Sequence, residues 1–472
     1  MNKEEFLKYG HEIVEWAAEY MENAGKYPVS PRIRPGEIIE KLPSAPPETG
    51  EPMETIFRDF REIVLPGITH WQHPGWFAYF PANNSPASVL AELLTATLGA
   101  QCMSWNTSPA AAELEEVVLG WLRGMLGLPE GWAGVIQDTA STSTLAALLT
   151  AREKATGYES NAKGLKKPLT VYVSTETHSS AEKGVKIAGY GRENLRIVPV
   201  DEDLGMDPAA LERAIDADEK AGLVPACVVG TVGTTSSGAV DPLPAIGRVA
   251  RAHGMWFHID AAYAGTAALL PEKRHVLDGV ELADSFVFNP HKWMLTNFDC
   301  SAYFVRDAGA LVRTFEIHPE YLKTGEDARV NNYRDWGIPL GRRFRALKLW
   351  FVLRSYGVEG IRAMVREHLR LAGQFKGWVE GHPRFELLAP VHFGLLCFRF
   401  NDNRPEADLD ALNRRLLERI NASGRVFLTH TTLRGKYTIR LVVGQRTTAE
   451  RHVREAWDII RSSAEALSED RA

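Results

Sequence analysis

The sequence predicts an α/β protein in which a mostly parallel seven-stranded sheet forms a large domain, with an N-terminal helical arm before it and a small α+β C-terminal domain after it. From about residue 130, short apolar β-branched runs alternate with longer helical windows, the pattern of right-handed βαβ units. Ahead of that region lie an amphipathic helix and a proline-rich stretch. Beyond residue 380 the rhythm changes to strand, helix, strand, helix. The expected division is therefore 1–80 for the arm, 81–360 for the large domain and 361–472 for the small one. A chain of 472 residues with 45% hydrophobic content has ample material for this, at roughly 100–200 residues per domain.

Taken in order, residues 3–25 place Phe6, Tyr9, Ile13, Ala17, Tyr20 and Met21 mostly three or four apart, which predicts a helix with one apolar face. Between Pro28 and Pro52 the prolines preclude regular helix, so this stretch is expected to run extended over a surface, its own or a partner subunit's. The expected strands of the large sheet are 134–137, 169–174, 195–200, 225–231, 255–260, 284–289 and 301–306. Helical windows at 142–156, 179–188, 207–221 and 243–253 separate most of them. Residues 341–356 predict an apolar helix stopped by Gly357, followed by a second helix carrying Ile361, Val365, Leu369, Ala372 and Phe375. The small unit reads as strand 393–400, helix 406–420, strand 437–443 and helix 448–466.

Charge and composition exclude several function classes. With 54 basic and 60 acidic side chains the net charge is −6, so no basic field is available for a nucleic-acid backbone or an anionic membrane. No run of 18 apolar residues occurs, and the charged N-terminus lacks the apolar core of a secretion signal. Cys102, Cys227, Cys300 and Cys397 are far apart and form no CxxC pair, which predicts reduced core thiols and a cytoplasmic protein. The GxSxG, HExxH, Walker A and GxGxxG patterns are absent, and Ser180-Ala181-Glu182-Lys183 matches SxxK without its companion motifs. No metal site is expected.

In an open parallel sheet ligands bind at the carboxyl ends of the strands, so polar residues that finish an apolar strand are the candidates for chemistry. Four segments qualify. Residues 138–144 (DTASTST) place five hydroxyls before a helix, suited either to an anion such as phosphate or simply to capping the helix. Asp260 ends the apolar strand MWFHID, where a buried carboxylate requires a cation. Lys292 follows the strand DSFVFN, and a desolvated lysine there is either an imine-forming amine or one half of an Asp260–Lys292 salt bridge. His178 lies just past the strand VYVS, as a ring-stacking imidazole or a plain capping residue. One ligand satisfies all four: pyridoxal 5'-phosphate has a phosphate for the hydroxyl-rich turn, an aldehyde for Lys292, a ring nitrogen for Asp260 and a flat ring for His178.

The residues around these positions carry a resemblance. Asn289-Pro290-His291-Lys292-Trp293, Asp260-Ala261-Ala262-Tyr263-Ala264-Gly265, Glu176-Thr177-His178-Ser179-Ser180 and Gly233-Thr234-Thr235 resemble the group II pyridoxal-phosphate-dependent amino acid decarboxylases. His73-Pro74, Phe77-Ala78-Tyr79-Phe80-Pro81, Ser104-Trp105, Glu113-Leu114-Glu115 and Ile338-Pro339-Leu340-Gly341-Arg342-Arg343-Phe344-Arg345 are similar to the aromatic-L-amino-acid decarboxylase branch of that family. The resemblance runs from about residue 5 to 465. It implies the type I pyridoxal-phosphate-enzyme fold and a homodimer with shared active sites, joined in part by the N-terminal arm. It further implies phosphate contacts from Ala140, Ser141 and Asn289, Asp260 on the ring nitrogen, Ala262 beneath the ring opposite His178, Thr235 close by, His291 near the substrate and an imine at Lys292. Tyr321 matches the family's catalytic tyrosine, a general acid at Cα whose replacement by Phe in relatives diverts the product to an aldehyde.

The reaction implied is decarboxylation of aromatic L-amino acids to arylalkylamines and carbon dioxide. The alternatives are an aldehyde synthase, a decarboxylase for a Glu or His side chain, or a non-catalytic protein on the same scaffold. Trp71, Tyr79, Phe80 and Pro81 match the family's aromatic pocket. Ala82, Met103 and Gln101 depart from the animal pattern and Gly341 leaves room for a large ring, so Phe, Tyr and Trp are all candidate substrates and dopa is not favoured. Gln101, Cys102, Met103 and Gly341 are expected to come from the partner subunit.

Overall fold

The computed structural model describes residues 1–317, 326 and 329–469. Its large sheet has seven strands: β1 (Ala133–Gln137), β2 (Leu169–Ser174), β3 (Leu195–Val198), β4 (Val224–Thr231), β5 (Trp256–Asp260), β6 (Ser285–Phe288) and β7 (Ser301–Val305). Their order is β1-β7-β6-β5-β4-β2-β3. Only β7 runs against its neighbours. The other six point the same way, so their carboxyl ends share one edge, where an open α/β sheet presents its ligand crevice. Helices cover both faces, and β2, β5, β6 and β7 are buried along their whole length, which accounts for their near-continuous apolar sequences.

Just past β5 the chain lies tightly against the sheet. A Cβ on Gly265 would lie 2.5 Å from Cβ of Phe288 and 3.3 Å from that of Ala261, too near for either neighbour to yield without backbone movement. Gly265→Ala is therefore expected to destabilise the fold by about 1–3 kcal/mol, read as a lower thermal midpoint.

The small domain is a second sheet, ordered β10-β11-β9-β8, of β8 (Phe385–Leu387), β9 (Leu395–Phe400), β10 (Thr429–Leu433) and β11 (Lys436–Val442), all antiparallel. Helices Glu406–Ala422 and Glu450–Glu469 close one side over a core that includes Phe375, Phe398 and Trp457. The sequence reading misses β8 and β10. Both are edge strands: the first is three residues long, and the second, THTTL, lacks an apolar run because only Leu433 is buried.

A long helix, Arg345–Glu380, joins the two units and is broken at Gly357, whose φ of 64° and ψ of 171° only glycine adopts readily. It begins at Arg345 rather than Gly341, because Arg342 is tied down in extended chain. The Arg342 N–H donates to Gln101 Oε1 (2.8 Å), and its guanidinium donates to Glu115 and to the Ile136 carbonyl. The expected 360/361 boundary falls inside this helix.

The arm begins with helix Lys3–Asn23, capped reciprocally by Asn2 and Glu5. None of its residues is buried, and Phe6, Ile13 and Val14 stand exposed. From Tyr27 to Pro52 the chain is irregular apart from a short turn of helix at Glu37–Lys41, and a helix the sequence reading did not expect follows at Met53–Asp59, continued by tighter and wider turns to Gly67. Val29 is pinned between the Gly424 carbonyl and the His70 N–H and packs with Trp76 and Ala78, so the start of the arm crosses its own small domain.

Candidate active site

A cavity of about 230 Å³ opens at the carboxyl edge of the large sheet. Each of its walls is supplied by a strand end. From β1 comes the turn into helix Ala140–Ala155, where Thr139 accepts from the Thr142 N–H (3.4 Å) and is itself fixed by its N–H donating to Asp138 Oδ1 (2.7 Å). The free N–H groups of this first helical turn, Ala140 and Ser141 among them, create positive potential at the cavity wall.

Asp260 closes β5, level with Thr231 and Val287 on the neighbouring strands. It is 6% exposed, and its Oδ1 accepts from the Ala262 N–H at 2.9 Å. The next strand, β6, ends at Phe288; Asn289 follows it as the cap, and proline then starts a single helical turn, Pro290–Trp293, that turns Lys292 back into the cavity. Asn83 fixes this turn. Its side chain donates to the Lys292 carbonyl (3.1 Å) and to the Gly444 carbonyl (2.7 Å) while accepting from the Arg446 N–H (2.8 Å), linking the lysine turn to the small domain.

Among the described residues Lys292 and Asp260 form no ion pair, so the purely structural salt bridge left open by the sequence is not what these side chains make. Desolvation lowers the basicity of Lys292 and Asp260 only partly restores it, which favours the neutral, nucleophilic amine. The Nζ lies 5.1 Å from the centroid of the Phe80 ring. Phe80 in turn stacks on Tyr263 (4.0 Å), and Tyr263 on Trp293 (4.8 Å), forming an aromatic wall beside the amine.

Two histidines face the cavity. His291 is buried, accepts from the Cys300 N–H (2.9 Å) and is pushed down to about 3, by burial first and by Lys292 second, so it is neutral at physiological pH. His178, at the cavity mouth, also has its basicity lowered. Desolvation by the wall dominates, opposed by Asp260 and reinforced by Lys292 and Lys183.

The cavity thus gathers ten of the residues expected from sequence: Phe80, Ala140, Ser141, His178, Thr235, Asp260, Ala262, Asn289, His291 and Lys292. Trp71, Tyr79, Pro81, Ala82, Gln101, Met103 and Gly341 do not line it within one chain. Trp71 stacks on Trp76 and Tyr79, and Pro81 lies against Gly444, while the Ala82 carbonyl accepts from Gln72. Gln101 and Met103 meet the 334–342 segment, with Gly341 beside the Gln101 amide. Tyr321 lies outside the described residues. Thr139, one of the hydroxyls of the 138–144 turn, lines the cavity too, and Ser180, Thr231 and Phe298 do so without having been singled out by sequence. Asn83 is not among the residues singled out by sequence, although a polar pair directly after the apolar FAYFPA run is the signal that marks it.

The donor set fits pyridoxal phosphate. Asp260 is the one acidic side chain among the described lining residues and Lys292 the one primary amine. Asn289 Oδ1 and Thr231 Oγ1 are buried polar atoms at the wall with no partner of their own, which a polar ligand would satisfy.

Comparison with known proteins agrees. Residues 35–401 match the family model "Pyridoxal-dependent decarboxylase conserved domain". The chain is 44% identical to a phenylacetaldehyde synthase of Arabidopsis thaliana, over 99% of this chain and 97% of that protein. It is also 44% identical to tryptophan decarboxylase 2 of Oryza sativa subsp. japonica, over 98% and 95%. The crystal structure of Oryza sativa TDC with PLP and tryptamine superposes with a TM-score of 0.96 at 38% identity, covering 99% of both chains. With the type I fold, the lysine and the aspartate in place at the sheet edge, the chain belongs to the pyridoxal-phosphate-dependent decarboxylase family.

Proposed function

We propose that the protein decarboxylates aromatic L-amino acids to the corresponding arylalkylamines. The observation that carries this reading is the Phe80–Tyr263 wall beside the Lys292 amine, which offers a flat apolar surface to a substrate ring. When bound, pyridoxal phosphate supplies an electron sink for the pair released as the Cα–carboxylate bond breaks.

The chain's own residues do the rest. Lys292, the one primary amine among the described lining residues, would hold the cofactor through its desolvated Nζ and release it to a substrate amine. Asp260 would pair with the ring nitrogen, and the Thr139–Ser141 turn with Asn289 would hold the phosphate. His178 donates to the substrate carboxylate without the strong ion pair that would stabilise the ground state. Tyr321 returns a proton to Cα.

We assign the protein to the cytoplasm as a homodimer. All four cysteines are free and buried, and among the described residues no helix is long and apolar enough to cross a membrane. The exposed face of the arm helix, with Leu90, Leu94 and Leu98 on the helix Pro86–Leu98, offers apolar area for a second copy. In that dimer Gln101, Met103 and Gly341 complete the partner's pocket.

A second reading, aldehyde formation, is favoured by the Arabidopsis relative. One assay separates them: carbon dioxide, amine, aldehyde and peroxide measured over Phe, Tyr, Trp, dopa, Glu and His. Amine without peroxide from Phe, Tyr or Trp is expected, and dopa turnover exceeding all three by orders of magnitude would refute the pocket reading. Tyr321→Phe is expected to lose amine formation while retaining the cofactor.

A further inference from the structure

Ser180 enters neither the cofactor contacts nor the proton transfers described above, yet it is 8% exposed and lines the cavity. Both of its donors converge on one atom. Its hydroxyl lies 2.7 Å from His178 Nδ1, and its backbone N–H donates to the same Nδ1 at 3.2 Å. A backbone N–H can only donate, so Nδ1 must present its lone pair there. The single proton of the neutral ring then resides on Nε2. Protonating Nδ1 as well would set two N–H groups against each other and force the serine hydroxyl to turn round and accept.

We propose that Ser180 is a positioning residue that fixes His178 as the neutral Nε2–H tautomer, so that the ring presents a hydrogen-bond donor, and never a lone pair, to the substrate carboxylate. This rests on the decarboxylase reading for its consequence, but the tautomer itself is a property of the chain alone. The location of Ser180 supports the assignment. It opens the helix Ser180–Ile187, so its backbone N–H belongs to the first turn and has no carbonyl within the helix to meet. The imidazole therefore serves as acceptor for a helix terminus on one side and as donor on the other. Of the charged groups that act on this ring, Asp260 and Lys292 lie on other segments, and Lys183 lies one turn further along the same helix with its own side chain unaltered, so replacing Ser180 leaves all three charges in place.

The test uses Ser180→Ala, Ser180→Thr and Ser180→Cys in the full-length protein. Protein labelled with 15N at histidine, with His178 assigned by its disappearance in His178→Asn, reports which ring nitrogen carries the proton. Wild type is expected to show Nε2 protonated. Removing the hydroxyl donor makes protonation of Nδ1 easier, so Ser180→Ala is expected to raise the acid limb of the kcat/KM profile by roughly 0.5–1 pH unit, given the net worth of one hydrogen bond. On the same grounds kcat is expected to fall about three- to tenfold with KM nearly unchanged. Ser180→Thr restores both, and Ser180→Cys, a weaker donor, falls between. An unprotonated Nε2 in wild type overturns the proposal. So does an unaltered pH profile in Ser180→Ala, or failure of Ser180→Thr to restore it while the cofactor's absorbance is intact. If Ser180→Ala does not retain the cofactor, the Thr and Cys variants decide by the same measurements. A wild type that releases no carbon dioxide from aromatic amino acids but shows the Nε2–H tautomer refutes the functional reading and leaves this assignment standing.

Discussion

Lys292→Ala is expected to abolish decarboxylation, with a loss of about 10⁴-fold or more and disappearance of the visible absorbance of the linked cofactor, because no other primary amine lines the described cavity. The loss is chemical rather than structural. Desolvation disfavours the ammonium form of Lys292, and the Asp260 carboxylate only partly compensates. Its basicity in the folded chain is therefore below that of the unfolded chain, where the amine holds its proton up to the ordinary lysine range. Between the two values the unfolded state binds more protons, so this lysine costs stability at low pH and the cost fades as pH rises. Removing it deletes that slope. The cofactor-free variant is accordingly expected to melt no lower than cofactor-free wild type near neutral pH, and the stability gained by wild type on raising the pH should be smaller in the variant. Retained turnover within tenfold of wild type would remove Lys292 from the reaction, and a collapsed cofactor-free protein would show that the side chain serves the fold instead. Lys292→Arg adds a control: it keeps a cation but no nucleophile, and should be equally inactive.

How much of this was legible in the sequence depends on whether a residue's role is set by neighbours along the chain or by distant ones. The inner strands β2, β5, β6 and β7 are near-continuously apolar because they are buried along their whole length, so their positions emerge to within a few residues, as at 169–174 against β2. Strand-end residues such as Asp260 and Asn289 stand out for the same reason: polarity after an apolar run is visible locally. Edge strands β8 and β10 were missed because half-exposed chain has no such contrast. Asn83 and Ser180 were missed differently. Asn83 follows an apolar run, which marks it locally as a polar group to be satisfied, but its partners, the carbonyls of Lys292 and Gly444, lie more than 200 and 360 positions away and are not legible there. Ser180 was seen only as part of a motif, because two donors converging on one ring nitrogen is a matter of geometry. Trp71, Gln101, Met103 and Gly341 sit outside the cavity of a single chain, where sequence spacing alone carries no information on which subunit a side chain serves.

Asp260→Asn is expected to lower turnover by roughly 10²–10³-fold, the scale on which a preorganised electrostatic partner acts. The substitution isolates charge. An asparagine oxygen can still accept from the Ala262 N–H, and the side-chain volume is nearly unchanged, so the strand end and the lysine turn should keep their places. What is lost is the one carboxylate among the described lining residues, and with it the anion that keeps the cofactor's ring nitrogen protonated. The pH profile supplies a second, independent reading. Asp260 supports the basicity of both His178 and Lys292, so removing its charge lowers both further. Since His178 acts in its neutral form, its acid limb should move to lower pH in Asp260→Asn, opposite in sign to the shift expected for Ser180→Ala. Residual turnover in Asp260→Asn should therefore persist to more acidic pH than in wild type, even as its maximum falls. Asp260→Glu, which keeps the charge but lengthens the side chain, should recover part of the rate and return the acid limb toward that of wild type. If Asp260→Asn retained wild-type turnover, the electron-sink assignment of this carboxylate would fail. If instead the maximum fell without any displacement of the acid limb, the carboxylate would act on the cofactor alone, and the field joining Asp260, His178 and Lys292 across the cavity would have no part in setting the protonation of the histidine.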